Sequence, residues 1–205
     1  MQSFGFYRKR KGADPARSNF AKDVEPDAWG AFEAAKKSNN PDTIAKFIGD
    51  ESPSVRFAAV DALYGIGALS PGSVEALIRA VSDPVDAVQN LAVKTLCNAG
   101  PAARKAIPSL IQRFREPSCP YYYKPVIVLA IGSVGEGMGE DPYVVVPTLL
   151  KATRSEDEGM RIAAAKALGM IGDSVAAETL ETLAIADQSE AVKDAALKAL
   201  LQMRK

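Results

Sequence analysis

The sequence predicts an all-α chain, a superhelical α-solenoid of about five helical hairpins. Three observations carry that expectation. One segment pattern recurs along the 205 residues at intervals of 32 to 37 positions. Within each copy, apolar residues fall at helical spacing, as in Val55, Ala59, Ala62, Leu63 and Ile66. Aromatic residues make up only 7% of the chain while alanine and leucine abound, which suits helices packed through small contacts.

The second half of each copy aligns on Val55-Arg56-Phe57-Ala58-Ala59, Val88-Gln89-Asn90-Leu91-Ala92, Tyr123-Lys124-Pro125-Val126-Ile127, Met160-Arg161-Ile162-Ala163-Ala164 and Val192-Lys193-Asp194-Ala195-Ala196. The first halves align on Ile44, Leu77, Leu110, Leu149 and Leu180. Four copies close on Ile66-Gly67, Ala99-Gly100, Val134-Gly135 and Ile171-Gly172, where glycine supplies the left-handed backbone that stops a helix. Pro108 and Pro147 sit early in first helices, where a missing N–H costs little. Asp50, Asp83 and the run Glu156-Asp157-Glu158 fall between the two helices, near the positive end of the second helix dipole. A lone hairpin cannot bury its apolar face, so neighbours must stack.

The pattern resembles the HEAT-repeat family, in particular the short bacterial-style repeats of the phycobilin lyase-like type. That family's pattern is Pro-x-Leu-Leu, a turn with Asp, then Val-Arg-x-x-Ala-Ala-x-Ala-Leu-Gly-x-Ile-Gly. The fourth copy matches it best, from Pro147 through Met160-Arg161 and Ala167-Leu168-Gly169 to Ile171-Gly172. The third departs, with Tyr121-Tyr122-Tyr123 in place of the acidic turn and a second helix expected to start at Pro125. The resemblance implies HEAT-like hairpins over 41–205, with repeats at about 41–70, 71–102, 103–139, 140–173 and 174–205. Residues 25–40, with Trp29 and Phe32 facing inward, are expected to form a capping helix. Residues 1–24 are expected to be a flexible basic tail, with six basic residues against Asp14 and Asp23.

Little catalytic chemistry is on offer. The chain has no histidine, which removes Ser-His and Cys-His triads and His-ligated metal sites. Gly132, Gly135, Gly137 and Gly139 follow a helix rather than a strand and lack the phosphate-binding lysine, so an inter-repeat loop is expected. The groups Glu136/Glu140/Asp141 and Glu156/Asp157/Glu158 read as solvated turns. Cys97 reads as a small core residue, while Cys119 lies in the Glu116–Pro120 loop and is expected toward solvent. No cofactor and no enzymatic activity are expected.

In HEAT-type solenoids the second helices line a concave face where partners bind, so the resemblance directs attention to the variable positions there. Spacing by four residues keeps three series on one stripe. The candidate partner-binding residues are Phe57, Asp61, Asn90, Lys94, Asn98, Leu129, Ser133, Ile162, Lys166, Met170 and Lys198. They mix apolar centres with a lysine rim suited to an acidic or mixed apolar protein surface. Tyr121 and Tyr122 form a second candidate patch, with Tyr123 expected inward. Arg56, Arg161, Lys124 and Lys193 occupy the repeat's own arginine position and are expected to join neighbouring repeats. The expected function is a non-enzymatic, cytoplasmic protein-binding scaffold or assembly adaptor. One alternative, implied by the resemblance, is a bilin lyase subunit or chromophore-handling chaperone. Another is nucleic-acid binding through the tail residues Arg8, Lys9, Arg10 and Lys11 and the lysine rim, although nucleic acid is not the expected partner. No membrane association is expected, because no run of about 18 apolar residues occurs.

Overall fold

A computed structural model describes residues 26–138 and 145–204. The described residues hold helices and turns without strands. In order, the helices are α1 (Pro26–Lys37), α2 (Pro41–Ala45), α3 (Pro53–Ile66), α4 (Pro71–Ala80), α5 (Asp86–Ala99), α6 (Ile107–Arg115), α7 (Lys124–Val134), α8 (Val146–Ala152), α9 (Glu158–Ile171), α10 (Ala177–Ala186) and α11 (Glu190–Met203). Tight 3₁₀ turns extend or introduce several of them, at Lys46–Gly49, Gly100–Ala106, Tyr121–Tyr123 and Ser174–Ala176. From α2 onward the helices pair as five antiparallel hairpins. The second helices α3, α5, α7, α9 and α11 stack on one another as one continuous layer. The chain is therefore an α-solenoid. Among the described residues, no helix is long and apolar enough to cross a membrane.

Local chemistry sets the helix ends. Proline opens α2, α3 and α4 at Pro41, Pro53 and Pro71, and stands at the second position of α6, α7 and α8. Asn40 Oδ1 accepts from the Asp42 and Thr43 amides, Asp157 Oδ1 from Met160 at 2.6 Å, and Ser189 Oγ from Val192 at 3.4 Å. The second helix of the third hairpin begins at Lys124, one residue ahead of Pro125, on the 3₁₀ turn made by the three tyrosines.

Burial follows the repeat. Ile44, Leu77, Leu110, Leu149 and Leu180, one per first helix or its turn, are all fully buried. Ala59, Ala92, Ile127, Ala164 and Ala196 do the same on the second helices. Each large apolar side chain removed from water contributes about 1.5–3 kcal/mol, so every hairpin depends on its neighbour for this contribution. Phe32 of α1 is fully buried, with its ring 5.4 Å from Trp29 and 5.7 Å from Phe47 of the first hairpin. Trp29 itself is only half-buried.

The terminal glycines divide into two roles. Gly67, Gly100 and Gly172 have φ of 73°, 58° and 78° and end their helices in the glycine-favoured region, as expected. Gly135 does not, since its φ is −89°. Its lack of a side chain serves packing instead: a Cβ there would stand 3.0 Å from Ile131 O and 3.3 Å from Ile171 Cγ1. The left-handed residue of this hairpin is Gly137, at φ 64°, and its N–H donates to Met170 O of α9 at 3.1 Å.

Two junctions between hairpins share one buried ion pair. Arg56 of α3 donates Nε and Nη2 to the Asp83 carboxylate at 2.7 and 3.0 Å, and Nη1 to the carbonyls of Asp50 and Glu51 at 2.9 Å each. Arg161 of α9 repeats the arrangement on Asp187 at 2.8 and 3.0 Å, with Nη1 on the carbonyls of Ser155 and Glu156. In each case the guanidinium closes its own inter-helix turn and grips the turn of the next hairpin bidentately. Gln89 replaces arginine in the second hairpin, and the charge is supplied from the other side: Arg113 of α6 donates to Gln89 Oε1 at 2.6 Å. Lys124 and Lys193 correct the sequence expectation. Lys124 lies 5.4 Å over the Phe114 ring of its own hairpin, and Lys193 pairs with Glu190 of its own helix at 2.9 Å. An ammonium lacks the planar fork that bridges a turn and a carboxylate together.

The second-helix face as a candidate partner site

Because the second helices stack in register, the candidate stripes lie on one continuous layer. The structure grades their residues by exposure. Lys94, Asn98 and Lys198 are exposed, while Phe57, Asp61, Asn90, Leu129, Ser133, Ile162, Lys166 and Met170 are half-buried. Phe57, Leu129 and Ile162 rest against the core, so each offers an edge rather than a whole side chain. Ser133 Oγ donates to Cys97 O at 2.7 Å and so ties α7 to α5. Lys198 Nζ pairs with Asp194 Oδ2 at 2.6 Å in an exposed contact, which leaves its ammonium open to a second acid.

At the C-terminal ends of α7, α9 and α11 the layer opens into a cleft of about 710 Å³. Met170 and Lys198, both read as candidates from the sequence, line it together with Glu136, Leu201 and Gln202. The sequence reads Glu136 only as part of a solvated turn and does not single out Leu201. The signal that could have found Leu201 is its position in the repeat, where the third and fourth hairpins carry Gly132 and Gly169. A smaller cleft of about 480 Å³ runs along α6 between Pro108 and Pro117, on the first-helix side and away from the stripe.

Tyr121 and Tyr122 are 57% and 78% exposed, and Tyr121 Oη lies 3.5 Å from Ser155 Oγ of the next hairpin. Tyr123 turns inward and donates its hydroxyl to Asn90 O at 2.6 Å. Burial holds its phenol pKa well above the ordinary value. Tyr123→Phe leaves that carbonyl short of a donor and should lower thermal stability by about 1 kcal/mol without moving the helix content measured by circular dichroism. The basic tail with Arg8, Lys9, Arg10 and Lys11, and the acids Glu140 and Asp141, lie outside the described residues.

Neither cysteine is poised for nucleophilic chemistry. Cys119 is 4% exposed, which corrects the expectation of a solvent-facing thiol: the Glu116–Pro120 loop folds its sulfur inward, with Sγ 3.8 Å from Pro120 O. Burial pushes both the Cys97 and Cys119 thiols upward, away from the thiolate.

Stacked hairpins, a continuous second-helix layer and an open cleft of mixed polarity define an α-solenoid repeat protein. The family model for HEAT repeats matches residues 28–97 and 107–201, so the chain belongs to the HEAT-repeat family. No curated protein matches the sequence. Among solved structures it is similar to an engineered protein at 18% identity and a TM-score of 0.65, covering 92% of this chain and 95% of that one. It is also similar to a computationally designed armadillo repeat protein for modular peptide recognition, at 16% identity and a TM-score of 0.63 over 92% and 98% of the two chains. A third similar structure is a designed armadillo repeat protein in complex with the peptide (KR)4, at 18% identity and a TM-score of 0.63 over 92% and 90%. At such identities the likeness is one of fold.

Proposed function

We propose that this chain is a non-enzymatic protein-binding scaffold or assembly adaptor that holds a segment of its partner along the second-helix layer. The observation that carries this reading is the cleft at the ends of α7, α9 and α11, where apolar Met170 and Leu201 sit beside Lys198 and Gln202. With Glu136 also lining the cleft, that mixture suits a peptide with both apolar and charged side chains. The likeness in fold to designed proteins made for peptide recognition supports it. Lys94, Lys166 and Lys198 hold the same repeat position, one turn after Asn90, Ile162 and Asp194, and their common sign favours acidic segments over basic ones. In this reading 41–205 is the binding array, 25–40 its cap, and Tyr121 and Tyr122 a second contact patch. Work in the cytoplasm fits Cys97 and Cys119, which are free thiols.

Fluorescence anisotropy with two labelled peptides tests the proposal, one alternating Glu and Leu and the other (KR)4. The wild type should prefer the acidic peptide, with affinity falling as salt rises. The triple variant Lys94→Glu, Lys166→Glu, Lys198→Glu should lose that affinity by about tenfold or more while retaining its helical circular dichroism. Equal binding of both peptides, or an undiminished affinity in the folded triple variant, would sink the lysine-rim reading.

A further inference from the structure

The outer face of the first helices changes its charge from hairpin to hairpin, and in the middle of the array it is basic. Two residues before and two residues after each buried first-helix position, helical spacing turns a side chain away from the core. The residues in both sets are exposed. The earlier set reads Asp42, Glu75, Pro108, Pro147 and Glu178, and the later set Lys46, Arg79, Gln112, Lys151 and Thr182. In the first two hairpins an acid therefore stands one turn ahead of the cation, at the spacing that lets the charges meet. In the third and fourth hairpins proline replaces the acid. These two also carry an arginine three residues further on, Arg115 and Arg154, where the others have Gly49, Ser82 and Ile185. Arg115, Lys151 and Arg154 thus stand exposed, with no acid in the outward positions of their hairpins.

The smaller cleft, of about 480 Å³, runs along α6 beside these cations. Its walls are apolar at Pro108, Ile111 and Pro117 and polar at Gln112 and Arg115. Glu116 also lines it, but its carboxylate accepts from the buried Arg113 at 2.8 Å. Arg115 Nη2 donates to Thr148 Oγ1 of α8 at 3.1 Å, so one guanidinium reaches from the cleft to the next hairpin. From Thr148, Lys151 and Arg154 lie about 4.5 and 9 Å further along α8 and the turn that follows it, at a rise of about 1.5 Å per residue. We propose that the cleft and these three cations hold an acidic segment of a partner protein in polyproline II form, on the first-helix side of the array. A polyproline II chain turns once in about three residues and advances about 9 Å. Carboxylates three residues apart therefore share one face and span the distance from Arg115 to Arg154. The adjoining face presents its apolar side chains to Pro108, Ile111 and Pro117. Hairpins flank the site on both sides, so it is not an end of the array. A nucleic-acid backbone would satisfy the cations but leave the apolar walls of the cleft unused.

Fluorescence anisotropy with a labelled peptide of three Glu-Leu-Pro repeats tests the site. The starting protein is the variant Lys94→Glu, Lys166→Glu, Lys198→Glu, so that the lysines of the second-helix layer do not contribute; it should still bind this peptide. The alternating Glu and Leu peptide has no two glutamates three residues apart, so its own loss in that variant is read separately. Adding Arg115→Glu and Lys151→Glu should weaken binding about tenfold or more with the helical circular dichroism unchanged, since both side chains are exposed. Pro108→Glu gives this cleft the acid that the first, second and fifth hairpins carry, and should weaken binding about threefold or more. A peptide of three Lys-Leu-Pro repeats and a single-stranded DNA of about 12 nucleotides should both bind more weakly than the acidic peptide. A starting variant that does not bind the acidic peptide overturns the proposal. So does binding indifferent to Arg115→Glu, Lys151→Glu, or an affinity for the lysine peptide or the DNA that matches the acidic one.

Discussion

Asp187→Ala is expected to cost about 3–5 kcal/mol, because it strands the Arg161 guanidinium in a pocket where both partners are more than nine-tenths buried. The damage should be local. In a stacked array, stability is close to a sum of hairpin terms and neighbour interfaces, and this pair stands at the interface between α9 and the last hairpin. Hydrogen exchange should therefore show α10 and α11 losing protection first, while α3 to α7 keep theirs. The companion double variant Arg161→Met, Asp187→Leu should recover most of the loss, since apolar side chains of similar size do not need the missing charge. A single variant that melts like the wild type would mean that the pair contributes nothing net.

The same pair gives the chain an acid-sensitive end. Hydrogen bonds from Arg161 hold the Asp187 carboxyl below the usual carboxylate value, aided by the Ser189 N–H. A carboxyl whose folded value is depressed adds stability that is complete above its unfolded value, near 3.8, and is lost as pH falls through the lower folded one. Asp187→Asn should accordingly flatten the stability profile below about pH 4 relative to the wild type, despite starting from a lower plateau. A parallel offset at every pH would contradict the assignment.

Gly132→Ala and Gly169→Ala are expected to destabilise by about 1–3 kcal/mol each, against the usual benefit of alanine in a helix. The added Cβ would stand 2.5 Å from the Ala167 Cα in one case and 2.6 Å from the Ala199 Cα in the other. Those neighbours are backbone atoms, so α7 and α9, or α9 and α11, would have to part along their length. Gly65→Ala supplies the control. It lies in α3 with nothing within 4 Å of the place its new methyl would take, and it should stabilise by about 0.5 kcal/mol. One substitution type with opposite signs at two kinds of site separates close packing from helix propensity, and thermal melts of the three variants decide it. Equal stabilisation at all three would remove the close-packing argument.

Much of this architecture is legible in the chain. The five first-helix positions Ile44, Leu77, Leu110, Leu149 and Leu180 can be picked out from the repeat alone, because burial of a hairpin's apolar side recurs with the hairpin. Arg56 and Arg161 can likewise be read as joints between repeats. The candidate site is only partly legible. Spacing names a stripe including Met170 and Lys198, yet it does not say that the helix ends open a cleft there, or that Glu136 and Leu201 share it.

By itself the sequence determined the hairpin, its period and the residues each hairpin must hide, since these follow from local helical spacing and from terminators such as Gly67, Gly100 and Gly172. Only the tertiary structure decided which glycines serve turns and which serve contact, why Lys124 turns to Phe114 rather than to the next hairpin, and why Cys119 is buried in a polar loop. Each of those depends on the distance between hairpins. That distance is set jointly by residues 30 to 35 positions apart, such as Gly132 with Ala167 and Gly169 with Ala199, and no local pattern records it.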